Sequence, residues 1–152
     1  MTRLSPLLSL CLLLTLAACG SSESGDPAKV TYAPVLGVDL TAMNRSESGL
    51  YTQDQVVGTG IEATKGRLLV VNYSGWLPDG TLFDTSLGRA PFSFTLGQGR
   101  VIQGWEEGLV GMREGGKRRL ILPSDLAYGE EGNYGIPPNS VLIFDVELLS
   151  AR

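Results

Sequence analysis

Histidine is absent from this 152-residue chain, and the absence removes more chemistry than any residue present supplies. A Ser-His-Asp triad, a Cys-His pair and a His-ligated zinc site all need an imidazole, so none can be assembled. The two cysteines, Cys11 and Cys19, lie in and just after an apolar run rather than at metal-ligand spacing. Between residues 50 and 150 the side chains with chemical potential are a carboxylate and a guanidinium five apart, Asp84 and Arg89, and a scatter of aromatics: Tyr73, Phe83, Phe92, Trp105, Tyr128 and Phe144. On pattern alone each has an ordinary reading. Tyr73 and Phe144 sit where strands turn inward, Trp105 lies on an apolar helical stripe, and Asp84–Arg89 reads as a surface ion pair contributing at most about 1 kcal/mol. Taken together, rings arriving from strand, helix and loop suit an apolar ligand pocket with few polar groups. Any reaction run there must need little acid, base or metal.

Those rings must be positioned by the elements around them. Residues 50–57 alternate loosely and stop at Gly58-Thr59-Gly60, a strand and turn. Residues 67–77 (RLLVVNYSGWL) are strongly β-prone and close at Pro78-Asp79-Gly80, where Pro sets φ and Gly permits positive φ. Residues 81–85 and 91–96 are short strand candidates around a Gly88 loop. Val101, Ile102, Trp105 and Leu109 recur at helical steps, which predicts one helix with Glu106 and Glu107 on its wet side. Gly104 and Gly108 weaken that helix by about 1 kcal/mol each, but four apart they let it sit close to a sheet. Residues 117–123 predict a strand, residues 124–140 a long loop rich in Gly, Pro and Asn, and residues 140–149 (SVLIFDVELL) a cleanly alternating strand. The expected fold class is α+β, a twisted antiparallel sheet curled over one short helix.

The N-terminus carries a different kind of information. Arg3, a leucine-rich run and the exit Leu16-Ala17-Ala18-Cys19 have the order of a secretory signal. The run is too short and too interrupted for a span, which needs roughly 20 apolar residues. Leu16-Ala17-Ala18-Cys19 resembles the lipobox of bacterial lipoproteins, whose cysteine takes a diacylglycerol and becomes the new N-terminus; the alternative is an ordinary cleavable signal with a chance cysteine. A single acyl chain holds a protein weakly and two or more hold it durably. The expected organisation is a signal over residues 1–18, a lipidated flexible tether over 19–29, an extension lying against the domain over 30–45, and the folded unit over 46–152. Processing removes Cys11 and commits Cys19 to a thioether, so the mature chain has neither disulfide nor free thiol. The net charge of the whole chain is −4. Its one basic run, Lys117-Arg118-Arg119, alternates faces in a strand, so nucleic acid is an unsuitable partner.

From about residue 50 to 150 the chain resembles an FKBP-type peptidyl-prolyl cis/trans isomerase, through VNYSGWLPDGTLFDTS, PFSFTLGQGRVIQGWEEGLVGM, LILPSDLAYGEEGNYGIPPNS and VLIFDVELL in order. The resemblance implies a half-barrel sheet of five to six antiparallel strands around the helix, with the pocket between. By position it implies Trp105 as the floor under a prolyl ring and Tyr73, Phe83, Phe92, Val101, Ile102 and Phe144 as apolar walls. It implies the Tyr128 hydroxyl and the Ile102 N–H as donors to a substrate carbonyl, and Asp84 near the mouth with Arg89 as partner. Ile136 is implied as a wall residue in the flap. The chain departs from the family pattern at Arg100, where an acidic or neutral residue is common, and in a shortened flap carrying Asn133-Tyr134. Both departures bear on substrate preference and on affinity for macrolide inhibitors.

An isomerase of this kind needs no cofactor and no metal, consistent with the residues available. The expected role is isomerisation of X–Pro bonds in exported proteins, tethered to the lipid bilayer through acyl chains on Cys19, as a monomer. The alternative is a non-enzymatic surface lipoprotein that binds proline-containing segments. Gly20 after Cys19 lacks the aspartate that commonly retains lipoproteins at the inner membrane. Sorting to the outer membrane is therefore expected in a two-membrane bacterium, and the outer face of the plasma membrane otherwise.

Overall fold

The last strand organises the molecule. Leu142, Phe144, Val146 and Leu148 alternate along Leu142–Ala151 (β7), and all four are buried. This is the pattern of a strand with one face on a core. In the computed structural model, which describes residues 25–152, β7 runs antiparallel between Leu68–Trp76 (β3) and Lys117–Leu122 (β6). The two-residue Asn44–Arg45 (β1) and Tyr51–Val56 (β2) extend the β6 side. Leu82–Thr85 (β4) and Phe92–Thr95 (β5) share the far edge of β3. The sheet thus has seven strands, one or two more than expected, in the order β1-β2-β6-β7-β3-β4 with β5 also on β3. The signal segment and Cys19 lie outside the described residues.

The shared edge of β3 shapes the site. Residues 68–71 of β3 pair with β5 and residues 74–76 with β4, so the ladder is interrupted at Asn72 and Tyr73. The Ser86 side chain fills the gap: its Oγ accepts the Tyr73 N–H at 2.9 Å and donates to Asn72 Oδ1 at 3.1 Å. A buried backbone donor that lacks a strand partner is satisfied by a hydroxyl instead.

The helix, Gln103–Gly108 (α1), is only six residues long and has no side-chain N-cap. Packing holds it, as the two glycines require. A Cβ on Gly104 would overlap the Leu122 side chain, and one on Gly108 would stand 2.8 Å from Leu120 Cδ2. The helix backbone therefore rests directly on the β6 leucines. Its C-terminal carbonyls are capped by Arg118, whose Nη1 donates to Gly108 O and Val110 O at 2.9 and 3.0 Å.

The expectation for Glu106 is overturned. Glu106 is buried rather than wet. The turn before the helix folds back over it, and the carboxylate accepts the backbone N–H groups of Gly97 and Gly99, the latter at 2.8 Å. Two peptide donors at positive-φ glycines have no strand or helix partner there, and an ionised acceptor satisfies both.

The outer face of the sheet is covered by the N-terminal segment. Residues 30–43 place Val30, Tyr32, Leu36, Val38, Leu40 and Met43 against Tyr51, Ile121, Val141, Ile143 and Trp76. This explains why Ile143, on the outward side of β7, is fully buried. Arg119 clasps the segment: it pairs with Asp145 at 2.7 and 2.8 Å and donates to Leu36 O at 2.5 Å. The flexible tether expected over residues 19–29 does not extend through residues 25–29. Gly25 O accepts the Ser124 N–H at 2.9 Å, Pro27–Lys29 forms one 3-10 turn capped by Asp26, and Pro27 is buried. Backbone hydrogen bonds, the Asp26 cap and a single buried proline hold this stretch, which follows directly on the Ser/Gly-rich residues 20–25.

Candidate active site

Four strands and two loops converge on one side of α1. They enclose a cavity of about 530 Å³ lined by Tyr73, Phe83, Asp84, Phe92, Gly99, Arg100, Val101, Ile102, Trp105, Tyr128 and Phe144. Trp105 is its floor, 4 % exposed. Around it the rings meet edge to face, with Tyr73 at 5.2 Å and Phe144 at 5.4 Å between centroids. Phe83 stands at 90° to Phe144 at 5.4 Å. Edge-to-face contacts match the positive ring edge to the negative ring face and fix the walls without closing the space between them.

Gly75 makes the Phe83–Phe144 contact possible. It sits in β3 opposite both Asp84 and Phe144. A Cβ there would stand 2.6 Å from Phe83 Cζ and 2.7 Å from Phe144 Cε1. A strand glycine with no turn to make marks a close approach, and here two rings occupy the place of its side chain.

Polar groups are few and mostly committed. The Tyr73 hydroxyl donates to Asp84 Oδ2 at 2.5 Å, and Arg89 Nη2 donates to Asp84 Oδ1 at 2.6 Å. Burial pushes the Tyr73 phenol up, and its bond to the Asp84 carboxylate adds to the shift, to about 12. Burial also raises the Asp84 carboxyl, but the Tyr73 and Arg89 hydrogen bonds outweigh it and hold the group below its ordinary value. Asp84 is thus a fixed, neutralised anion rather than a free base. The Tyr128 hydroxyl and the Ile102 N–H make no hydrogen bond to a described residue. Both residues line the cavity, so two donors are open to a bound carbonyl. Trp105 Nε1 is the one buried side-chain polar atom among the described residues without a partner. Such a donor costs about 1–3 kcal/mol, a destabilising feature of the kind that collects at functional sites.

This arrangement has no nucleophile and no general base; its lining is mainly aromatic, and the Ile102 N–H, the Tyr128 hydroxyl and the exposed Arg100 guanidinium are its uncommitted donors. A family model described as FKBP-type peptidyl-prolyl cis-trans isomerase matches residues 59–149. The chain belongs to the FKBP family. Its relatives include the FK506-binding protein of Neisseria meningitidis serogroup B, 54% identical over 103 residues, covering 66% of this chain and 94% of that protein. The crystal structure of AtFKBP13 superposes with a TM-score of 0.68 at 43% identity, over 72% of this chain and 98% of that one. FkpA from Escherichia coli superposes with a TM-score of 0.70 at 43% identity, over 78% of this chain but 55% of its own.

The FKBP box brings together all nine residues that the family likeness assigned to it: Tyr73, Phe83, Asp84, Phe92, Val101, Ile102, Trp105, Tyr128 and Phe144. Arg89 does not line the cavity and meets the site only through its ion pair with Asp84. Ile136 does not join the wall. It is 6% exposed and packs into the main core. A tight turn in which Asn133 and Ile136 exchange N–H···O=C bonds points Ile136 inward and leaves Tyr134 wholly exposed. Three contributors escaped sequence reasoning: Glu106, which pins the loop carrying Val101 and Ile102; Gly75, which admits the two phenyl rings; and the Tyr73–Asp84 bond. Only Gly75 left a trace, as a glycine inside a run otherwise read as strand.

Proposed function

We propose that this FKBP-family protein accelerates cis–trans isomerisation of peptide bonds preceding proline in exported polypeptides, acting as a monomer held at a membrane by acyl chains on Cys19. The observation that carries the enzymatic part is the aromatic cavity floored by Trp105, whose lining includes Ile102 and Tyr128 with their N–H and hydroxyl uncommitted.

The barrier to X–Pro rotation is roughly 18–20 kcal/mol, because twisting the amide sacrifices its C–N double-bond character. The planar amide is charge-separated and favoured by water. A proline seated on the Trp105 indole, between Tyr73, Phe83 and Phe144, leaves that water behind, which disfavours the planar form relative to the twisted one. The Ile102 N–H and the Tyr128 hydroxyl hold the neighbouring carbonyls so that rotation is confined to one bond. No bond is made or broken. An acceleration of about 10⁴–10⁶ asks for only about 5–8 kcal/mol, within reach of desolvation, shape and two hydrogen bonds. FK506-type macrolides would compete for the same box.

The membrane part rests on Leu16-Ala17-Ala18-Cys19 and the polar stretch after it. The signal over residues 1–18 is removed and the lipidated cysteine sorts to the outer membrane of a two-membrane bacterium, or to the outer face of a single one. Mass spectrometry of the N-terminal peptide should find Cys19 acylated, and Cys19→Ala should move the protein to the soluble fraction. An unmodified N-terminal Cys19 would remove this part alone.

The enzymatic part is tested by a protease-coupled assay on an Ala-Leu-Pro-Phe peptide. Trp105→Leu should lower kcat/KM at least tenfold. Tyr128→Phe should lower it about fivefold, the value of one hydrogen bond. Rates at background for all three proteins, with the peptide still bound, would leave the non-enzymatic binding role instead.

A further inference from the structure

The cavity carries one charge that no described residue answers. Asp84, the only acidic residue in its lining, is saturated: it accepts from Arg89, from the Tyr73 hydroxyl and from the Thr85 N–H at 2.6, 2.5 and 2.9 Å. Arg100 also lines the cavity, is exposed, and makes no ion pair, hydrogen bond or ring contact with a described residue. Arg113, Arg118 and Arg119 each hold a carboxylate elsewhere. A free guanidinium on the wall of a binding box, in a chain of net charge −4, is placed for a ligand rather than for the fold.

Its backbone is held as a specificity group requires. On one side Gly99 has φ of 65° and its N–H is bonded to the buried Glu106 carboxylate at 2.8 Å. On the other, Val101 and Ile102 pack against the main core. The side chain is free to reach while its origin is fixed, so a partner is bound without ordering the loop first. The arginine stands next to the walls that would seat the prolyl ring, within reach of the substrate residues flanking it.

We propose that Arg100 makes this site select prolyl bonds with an acidic side chain beside the proline. The inference rests on the isomerase reading of the same cavity and names the substrate class within it. Guanidinium pairs with carboxylate through its planar fork. For a pair this exposed the preference is about three- to fivefold in kcat/KM, the scale of a surface ion pair, and it is screened by salt.

The test measures exchange between cis and trans forms by NMR, which needs no protease with its own charge preference. The peptides are Ala-Xaa-Pro-Ala and Ala-Ala-Pro-Xaa, with Xaa as Glu or Gln, so that the pairs differ in charge but hardly in shape. The whole protein should favour Glu over Gln three- to fivefold in at least one series. That ratio should fall to about one in Arg100→Ala and in 0.5 M salt, invert in Arg100→Glu, and survive in Arg100→Lys. Turnover of Glu and Gln peptides at equal rates, or a Glu preference retained in Arg100→Ala, overturns the proposal while leaving the isomerase reading intact. Exchange at the uncatalysed rate for every peptide overturns both.

Discussion

Replacing Glu106 by glutamine changes one oxygen to an NH2 group and leaves size and shape almost untouched, so its consequences isolate the two backbone bonds. In the native protein both carboxylate oxygens accept, one from Gly97 and one from Gly99. Hydrogen bonds to a charged acceptor are worth about 1.5–3 kcal/mol each. The amide keeps one acceptor, now neutral, and turns its donor toward a backbone donor. One bond weakens and the other becomes a buried clash of like groups, which costs a further 1–3 kcal/mol or so. The net loss is about 2–4 kcal/mol. With a urea slope of about 1.5 kcal/mol/M for a domain of this size, the midpoint falls by roughly 1.3–2.7 M. The same loop carries Arg100, Val101 and Ile102 into the cavity, so kcat/KM for a prolyl peptide should drop about tenfold under conditions where the variant remains folded. Equilibrium urea unfolding followed by Trp fluorescence gives the first quantity and a coupled assay the second. A midpoint within 0.3 M of the parent, with unchanged kcat/KM, would refute the claim that this carboxylate holds the loop.

Gly75→Ala should depress kcat/KM while changing the mature fold little, because the new methyl displaces Phe83 and Phe144; an unaltered rate at full stability would remove the glycine from the site. Gly104→Ala sets helix propensity, about 1 kcal/mol in its favour, against overpacking onto Leu122, about 1–3 kcal/mol against it. The melting temperature should fall by several degrees, and calorimetry showing a rise would contradict the close helix–sheet contact. For Asp84, whose folded carboxyl lies below its ordinary value of 3.8, the stabilising contribution is present above that value and lost as pH falls through the folded one. The stability advantage of the parent over Asp84→Asn should therefore disappear on acidification below about pH 4. A gap that stays constant from pH 6 to pH 2 would argue against the Tyr73–Asp84–Arg89 arrangement.

The sheet was legible because burial on one face leaves a two-residue period. The alternation from Leu142 to Leu148 predicts the inner face of β7 as observed. The glycines at 104 and 108 read correctly as close contacts, since a helix tolerates two of them only when packing requires it. The box residues were legible through their motifs, each of which keeps its place along an element. What stayed hidden depends on chain returning from elsewhere. Glu106 has the helical phase of a wet residue, and nothing local reveals that residues 97–99 fold back to donate to it. Ile136 looked like a wall because it lies in the flap, but a two-residue turn rotates it into the core. Residues 25–29 look like linker because their attachment is made by backbone groups, which leave no mark in composition.

Isomerisation here is assigned to a cavity that holds no nucleophile and whose one carboxylate, Asp84, is tied to Tyr73 and Arg89. Two-dimensional NMR exchange on an Ala-Leu-Pro-Phe peptide with a catalytic amount of protein tests it most directly. Uncatalysed exchange takes tens of seconds or longer. With the protein, cis–trans cross-peaks should build up within about a second, and they should be lost in Trp105→Leu. Peptide-induced shifts at Tyr73, Trp105 and Phe144 with exchange still at the uncatalysed rate would contradict it.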